Sequence, residues 1–279
     1  MKVSDDVLTA ALTGALGPVA AVHRSPAPQA STAALEDLLV ELPGAPDRHL
    51  VLKTGGRDTA REAVLYRDVL AGAGLGTPGW VTGSDAGAGW LVLDRVQGAP
   101  LWQSPDPRDW CAVARWLRGP HERLAEHADR VGPVVGSRWA EQLDRAVARH
   151  PGARTLAAAH HRAVRTLQDQ PRTLVHGELF PANILLRPDG TPCVLDWETA
   201  GHGCALTDLA ALTAGWYPAA AGQIALAYGG DLTALPAARL VVAVRWLGEP
   251  LPVPEAGGGR ARWTDWWTAA RIAAQGIRR

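Results

Sequence analysis

Short apolar runs punctuate the first third of the chain, and longer stripes with a helical period fill most of the rest. Val19–His23, Leu38–Leu42 and His49–Lys53 read as strands, and Gly79–Thr82 and Trp90–Leu93 as two more around a Gly-rich hairpin. A helix is expected ahead of them: Ser4 precedes Asp5 and Asp6, an N-terminal signature, and Gly14 and Gly17 are stops. A second helix is expected over Thr59–Leu70, where Val64, Leu65, Val69 and Leu70 fall at helical spacing. Its Thr59-x-x-Glu62 also has the form of a capping box. Gly72-Ala73-Gly74-Leu75-Gly76 follows that helix rather than a strand, so it reads as a helix stop and not as a dinucleotide fingerprint.

Further along, Trp110–Leu117 predicts a helix broken by Gly119-Pro120. Residues 137–150, with Ser137 as N-cap, and 153–169 repeat the 3.6 period. His160 and His161 point to different helix faces with no third ligand in the pattern, so solvated side chains are expected. Trp216, Tyr217, Trp246, Trp263, Trp266 and Trp267 gather in the last third, where core packing is the favoured reading and an aromatic wall for a ligand the other. Leu251–Gly259 is expected to be a flexible linker or lid before a final helix.

The most informative stretch lies at the centre. Leu174-Val175 feeds a polar loop holding His176, Glu178 and Asn183, and a second apolar run, Ile184–Leu186, follows. Pro188-Asp189-Gly190 turns the chain back, and a third run ends on Asp196, with Glu198 two residues on. Two tight strands would bring Asn183 and Asp196 together at the mouth of a hairpin. An amide oxygen with carboxylates is the hard-oxygen set that Mg²⁺ on nucleotide phosphates requires.

Composition narrows the class. Lys+Arg and Asp+Glu balance at 28 each, so no field argues for nucleic acid or an anionic membrane, and a small-molecule partner is expected. Cys111, Cys193 and Cys204 have no metal-ligand spacing and fit a reducing, cytoplasmic setting. No run of about 18 apolar residues occurs. Only Lys2 and Lys53 are lysines in a chain otherwise rich in Arg, so an interior lysine calls for a chemical reason, and phosphate contact is one.

His176-Gly177-Glu178, four residues, Asn183, then a hydrophobic strand ending in Asp196 resembles the catalytic and metal-binding loops of the aminoglycoside phosphotransferase and choline kinase-like family. The resemblance implies an α+β, two-lobed protein kinase-like fold. Residues 1–97 would form a small antiparallel-sheet lobe that binds nucleotide, and 98–279 a larger, mainly helical lobe for catalysis and acceptor binding. It implies an enzyme that transfers the γ-phosphate of MgATP, or of GTP, to a hydroxyl of an aminoglycoside, another antibiotic or a natural product. A choline- or homoserine-like metabolite kinase and a degraded nucleotide-binding pseudokinase are the alternatives.

By the same resemblance Glu178 is the catalytic base and His176 braces its loop. Asn183 and Asp196 hold Mg²⁺. Lys53 contacts the phosphates, oriented by Glu62, and Asp94 and Val96 lie in the backbone segment that meets the base. Asp208 supports the loop. The family's catalytic position carries Asp; here Glu178 keeps a base of similar acidity and adds a methylene. The glycine-rich phosphate cover is also missing, since 25–32 contains no glycine.

Overall fold

The computed structural model describes residues 3–27, 34–84, 89–130, 132–133, 139–249 and 266–277. They form two compact units, one of residues 1–99 with 185–198 and one of 100–184 with 199–279.

In the first unit α1 (Asp5–Leu16) starts on Ser4, whose Oγ accepts the Val7 N–H at 3.4 Å. The helix runs through Gly14 and stops at Gly17, which takes a φ of 87°. A glycine costs a helix interior only about 1 kcal/mol, and burial of Leu8 and Leu12 carries the helix past it. β1 (Ala21–Pro26), β2 (Ala34–Glu41), β3 (Arg48–Thr54), β4 (Trp80–Gly83) and β5 (Trp90–Asp94) make one antiparallel sheet in the order β1-β2-β3-β5-β4. Leu8 and Leu12 of α1 cluster with Leu38, Val40, Leu50, Leu52 and Val92 of the sheet. Side chains alternate across a strand, so with Leu50 and Leu52 in that core, Lys53 is delivered to the opposite face.

The second predicted helix is real, but its start is different. α2 (Arg57–Leu65) begins at Gly56 with no side-chain cap, Thr59 is buried, and the Glu62 carboxylate accepts from Lys53 and from the Trp197 N–H. The capping-box reading is therefore corrected: Glu62 is used elsewhere. A π turn, Tyr66–Leu70, continues α2, closed by the Ala71 N–H on the Tyr66 carbonyl at 2.9 Å. It buries Val69 and Leu70 while Val64 is left exposed. The unit is completed by a hairpin from later in the sequence, β8 (Ile184–Leu186) and β9 (Pro192–Val194). Gly190 makes its turn at φ 79°, and the Asp189 carboxylate accepts the Thr191 N–H at 2.9 Å.

The chain leaves the first unit at β6 (Ala99–Pro100). The second unit comprises α3 (Pro107–Leu124), α4 (Trp139–Arg149), α5 (Ala157–Gln168), α6 (Leu206–Leu212), α7 (Pro218–Tyr228), α8 (Leu235–Gly248) and α9 (Trp266–Gln275), with β7 (Arg172–Val175) paired antiparallel to β10 (Gly201–Cys204). Nearly all-apolar α8 is the hub, packed by α4, α5, α6 and α9, while α3 packs on α7.

Two expectations fail here. α3 does not break at Gly119-Pro120; it runs on to Leu124. A proline inside a helix costs about 3 kcal/mol. The stripe Trp110, Val113, Ala114, Leu117, Pro120, His121 and Leu124 is buried along its whole length, and that packing outweighs the lost bond. His160 is not solvated: it is fully buried, while His161 is exposed. Adjacent residues on one helix do face apart, and α5 turns one of them into the core. The predicted N-cap Ser137, the linker 251–259 and most of the 25–32 segment lie outside the described residues.

Candidate active site

The candidate residues fall in both units, and each half is built locally. In the first unit β3 presents Lys53, 7% exposed, to three carboxylates. Its Nζ donates to Glu62 Oε2 at 2.7 Å, to Glu198 Oε2 at 2.9 Å and to Asp196 Oδ1. Glu62 Oε1 accepts the Trp197 N–H at 2.9 Å, so one carboxylate ties the strand lysine to the backbone just after Asp196. Arg61 Nη1 reaches the Glu198 carbonyl at 3.0 Å. Asp196 has a φ of 64°, the one non-glycine with positive φ among the described residues. Such backbone costs on the order of 1–3 kcal/mol and persists where the surroundings enforce it.

Burial opposes the Lys53 ammonium, but Glu62 and Asp196 outweigh it and hold its pKa above the ordinary value. Burial pushes the Glu62 carboxyl up, against the pull of Lys53 and the Trp197 N–H. Carboxylate oxygens of Glu62, Asp196 and Glu198 lie within 4.8 Å of one another. Three anions share one ammonium, a surplus of negative charge in hard oxygen donors that suits Mg²⁺.

In the second unit, β7 delivers Val175 to the loop, and α6 supplies the anchor. Asp208, 1% exposed, accepts the His176 N–H at 2.7 Å and the Gly177 N–H at 2.9 Å. His121 Nε2 lies 3.2 Å from the same carboxylate, and its Nδ1 lies 3.0 Å from the Tyr228 hydroxyl. Burial works to raise the Asp208 pKa, yet His121 and the backbone bond from His176 hold it below the usual range. Gly177 takes a φ of 85°. His176 is buried, and its Nδ1 accepts the Glu178 N–H at 3.2 Å while its carbonyl accepts the Thr199 hydroxyl at 3.0 Å. Asn183 donates through Nδ2 to the Glu178 carbonyl at 3.0 Å, which fixes the amide against the loop.

Arg245 of α8 donates from Nη1 to the Gly177 carbonyl at 2.9 Å and from Nη2 to Glu178 Oε1. Phe180 meets Trp246 edge-on at 5.1 Å and Trp266 at 6.2 Å, and the two tryptophan rings stack at 6.1 Å. All three rings are half-buried.

The structure thus joins Lys53, Glu62, Asp196 and Glu198 in one cluster, and His176, Glu178, Asn183 and Asp208 in another. Asp94 closes β5, its N–H on the Gly79 carbonyl at 2.8 Å and its carboxylate on Arg48; Val96 lies in the coil that follows. Sequence reasoning missed Arg245 and His121. Arg245 did leave a signal, the single charge in Leu240–Leu247.

A buried strand lysine paired to a helix glutamate, beside an acid in strained backbone, is a pattern that phosphoryl-transfer proteins use, and the second unit separately carries an acid-anchored His-Gly loop. The chain belongs to the phosphotransferase enzyme family, whose family model matches residues 40–241. No curated protein matches its sequence. Among solved structures it is similar to a putative fructosamine-3-kinase from Thermobifida fusca YX-ER1, at 20% identity and TM-score 0.60, over 98% of this chain and 99% of that one. It is similar to the choline kinase LicA from Streptococcus pneumoniae at 14% identity and TM-score 0.60, over 98% of both chains. A spectinomycin phosphotransferase in complex with ADP and spectinomycin matches at 13% identity and TM-score 0.53, over 99% of this chain and 94% of that one. At these identities the likeness is one of fold, which is protein kinase-like. No helix among the described residues is long and apolar enough to cross a membrane.

Proposed function

We propose that this protein transfers the γ-phosphoryl group of a Mg²⁺-bound nucleoside triphosphate, ATP in the first instance, to a hydroxyl of a small molecule. The observation that carries this reading is Lys53, buried among Glu62, Asp196 and Glu198, with Asp196 held at φ 64°. A lone ammonium is a poor choice for a structural core in a chain that otherwise uses Arg. In this setting it is charged, rigidly held and matched to phosphate.

Mg²⁺, when bound, would neutralise charge developing on the transferred phosphoryl group. Asp196 and Asn183 are the residues proposed to hold it, with Glu198 as a further oxygen donor. Lys53 then grips the phosphates and Glu62 fixes its direction. Glu178 accepts the proton of the acceptor hydroxyl. Asp208 keeps the His176-Gly177 backbone in place, so that little of the loop has to be ordered during the reaction. Phe180, Trp246 and Trp266 form an aromatic cluster near Glu178 in sequence and fold, which is proposed to meet the acceptor. A triphosphate donor and three free cysteines suit a reducing cytoplasmic setting.

Calorimetric titration of ATP, with and without Mg²⁺, into the wild type and Asp196→Ala tests the reading. Mg²⁺-dependent binding that disappears in the variant is the expected result. A wild type that binds no nucleotide would turn the reading toward a scaffold that has lost its ligand. Acceptors to screen by ADP release are choline, a fructosamine, spectinomycin and kanamycin, the compound classes handled by proteins of similar fold.

A further inference from the structure

Arg245 stands in an apolar stretch of α8, and its side chain is 14% exposed. Such a residue is costly to bury unless its donors are used. Two of them are spent on adjacent positions of one loop: Nη1 on the Gly177 carbonyl and Nη2 on the Glu178 carboxylate. The Gly177 backbone is therefore held on both sides, its N–H by Asp208 and its carbonyl by Arg245. The guanidinium also lies over the Trp246 ring, 5.6 Å from its centroid, which limits its own freedom. A planar fork can span a carbonyl and a neighbouring carboxylate at once, whereas the point charge of a lysine cannot satisfy both directions.

Glutamate has one more rotatable bond than the aspartate that the resembled loop carries. An unheld carboxylate on that longer stem would spread over several rotamers, and displacement by about an ångström can cost roughly 100-fold in rate. We propose that Arg245 is a positioning residue that fixes the Glu178 carboxylate for proton acceptance, and so lets glutamate serve where the shorter aspartate is usual. The inference rests on the phosphotransferase reading of the site.

The experiment compares Arg245→Met, Arg245→Lys, Glu178→Asp and the Arg245→Met/Glu178→Asp double variant. MgATP affinity is read by calorimetry, and ADP release is read with the four screened acceptors and with water alone. Arg245→Met is expected to lower kcat by roughly 100-fold while MgATP affinity stays within about twofold. Arg245→Lys should recover part of that loss. In the Glu178→Asp background, removal of Arg245 should cost less than about threefold, because the shorter carboxylate no longer meets the guanidinium. An equal loss in both backgrounds overturns the inference, since Arg245 then acts through the Gly177 carbonyl or on folding alone. So does full activity in Arg245→Met.

A urea-stability cycle on Arg245→Met and Glu178→Gln needs no turnover. Non-additive effects support the pairing, and additive ones refute it. A wild type that neither binds MgATP nor forms ADP overturns the phosphotransferase reading, and with it the purpose given to Arg245. Those results are distinct from an active enzyme indifferent to Arg245.

Discussion

His160 shows what a single side chain can conceal. Neither ring nitrogen has a hydrogen-bond partner, and burial, helped by His161, lowers its pKa from 6.5 to about 4. The folded chain keeps this imidazole neutral down to about pH 4, while the unfolded chain takes up a proton near 6.5. Between those values the unfolded state binds more protons, so stability rises with pH and is lost on acidification. The drop from 6.5 to about 4 is worth at most roughly 3 kcal/mol. His160→Leu should flatten the fall in urea midpoint between pH 7 and pH 4.5. It should also gain about 1 kcal/mol at pH 7 by removing unpaired buried polar atoms. An unchanged pH profile in the variant would mean that other groups carry the acid sensitivity.

The same scale explains what the sequence revealed of the site. Lys53 stood out by scarcity, and Asn183 and Asp196 by their spacing from His176 and from the Pro-Asp-Gly turn. Arg245 and His121 did not, because the carboxylates they serve lie 67 and 87 residues away. No local pattern encodes such pairs. Glu62 lay between the two cases: its capping-box spacing was a genuine local signal, and the tertiary partners Lys53 and Trp197 overrode it.

Among the elements, those with a strong period were legible and their ends were not. The five strands of the first sheet and α1 were recognisable from apolar runs and from the Ser4 signature. Gly14 and Pro120 misled because each is a local penalty of a few kcal/mol or less, set against stripes that continue beyond them. α3 illustrates the balance. It starts on Asp106, which accepts the Arg108 N–H at 2.9 Å, and Pro107 follows as the first helical residue. With a proline inside the helix, this start matters more than it would in an uninterrupted one. Asp106→Ala should lower stability by removing the cap, seen as a lower urea midpoint with the slope unchanged. A change in slope would instead point to altered compactness of one of the end states.

At the scale of the whole molecule the chain order and the spatial order differ. The hairpin within 185–198 belongs to the unit formed by residues 1–99, so Asp196 and Glu198 join Lys53 across more than half the sequence. This long-range closure places three carboxylates around one ammonium and makes Lys53 both a phosphate ligand in the proposed reaction and the cation that holds the closure together. Lys53→Met leaves the carboxylate oxygens of Glu62, Asp196 and Glu198 within 4.8 Å of one another without their ammonium. Breaking a buried pair costs about 3–5 kcal/mol. The lower end applies here because Asp196 is 36% exposed and solvent screens it. A divalent cation bound by the folded state alone would restore part of that loss by mass action. Scanning calorimetry of both proteins with and without millimolar Mg²⁺ should therefore show a Tm gain that is larger in Lys53→Met than in the wild type. A Mg²⁺ response absent from both would remove the cluster as a cation site. A response equal in both would place the ion elsewhere.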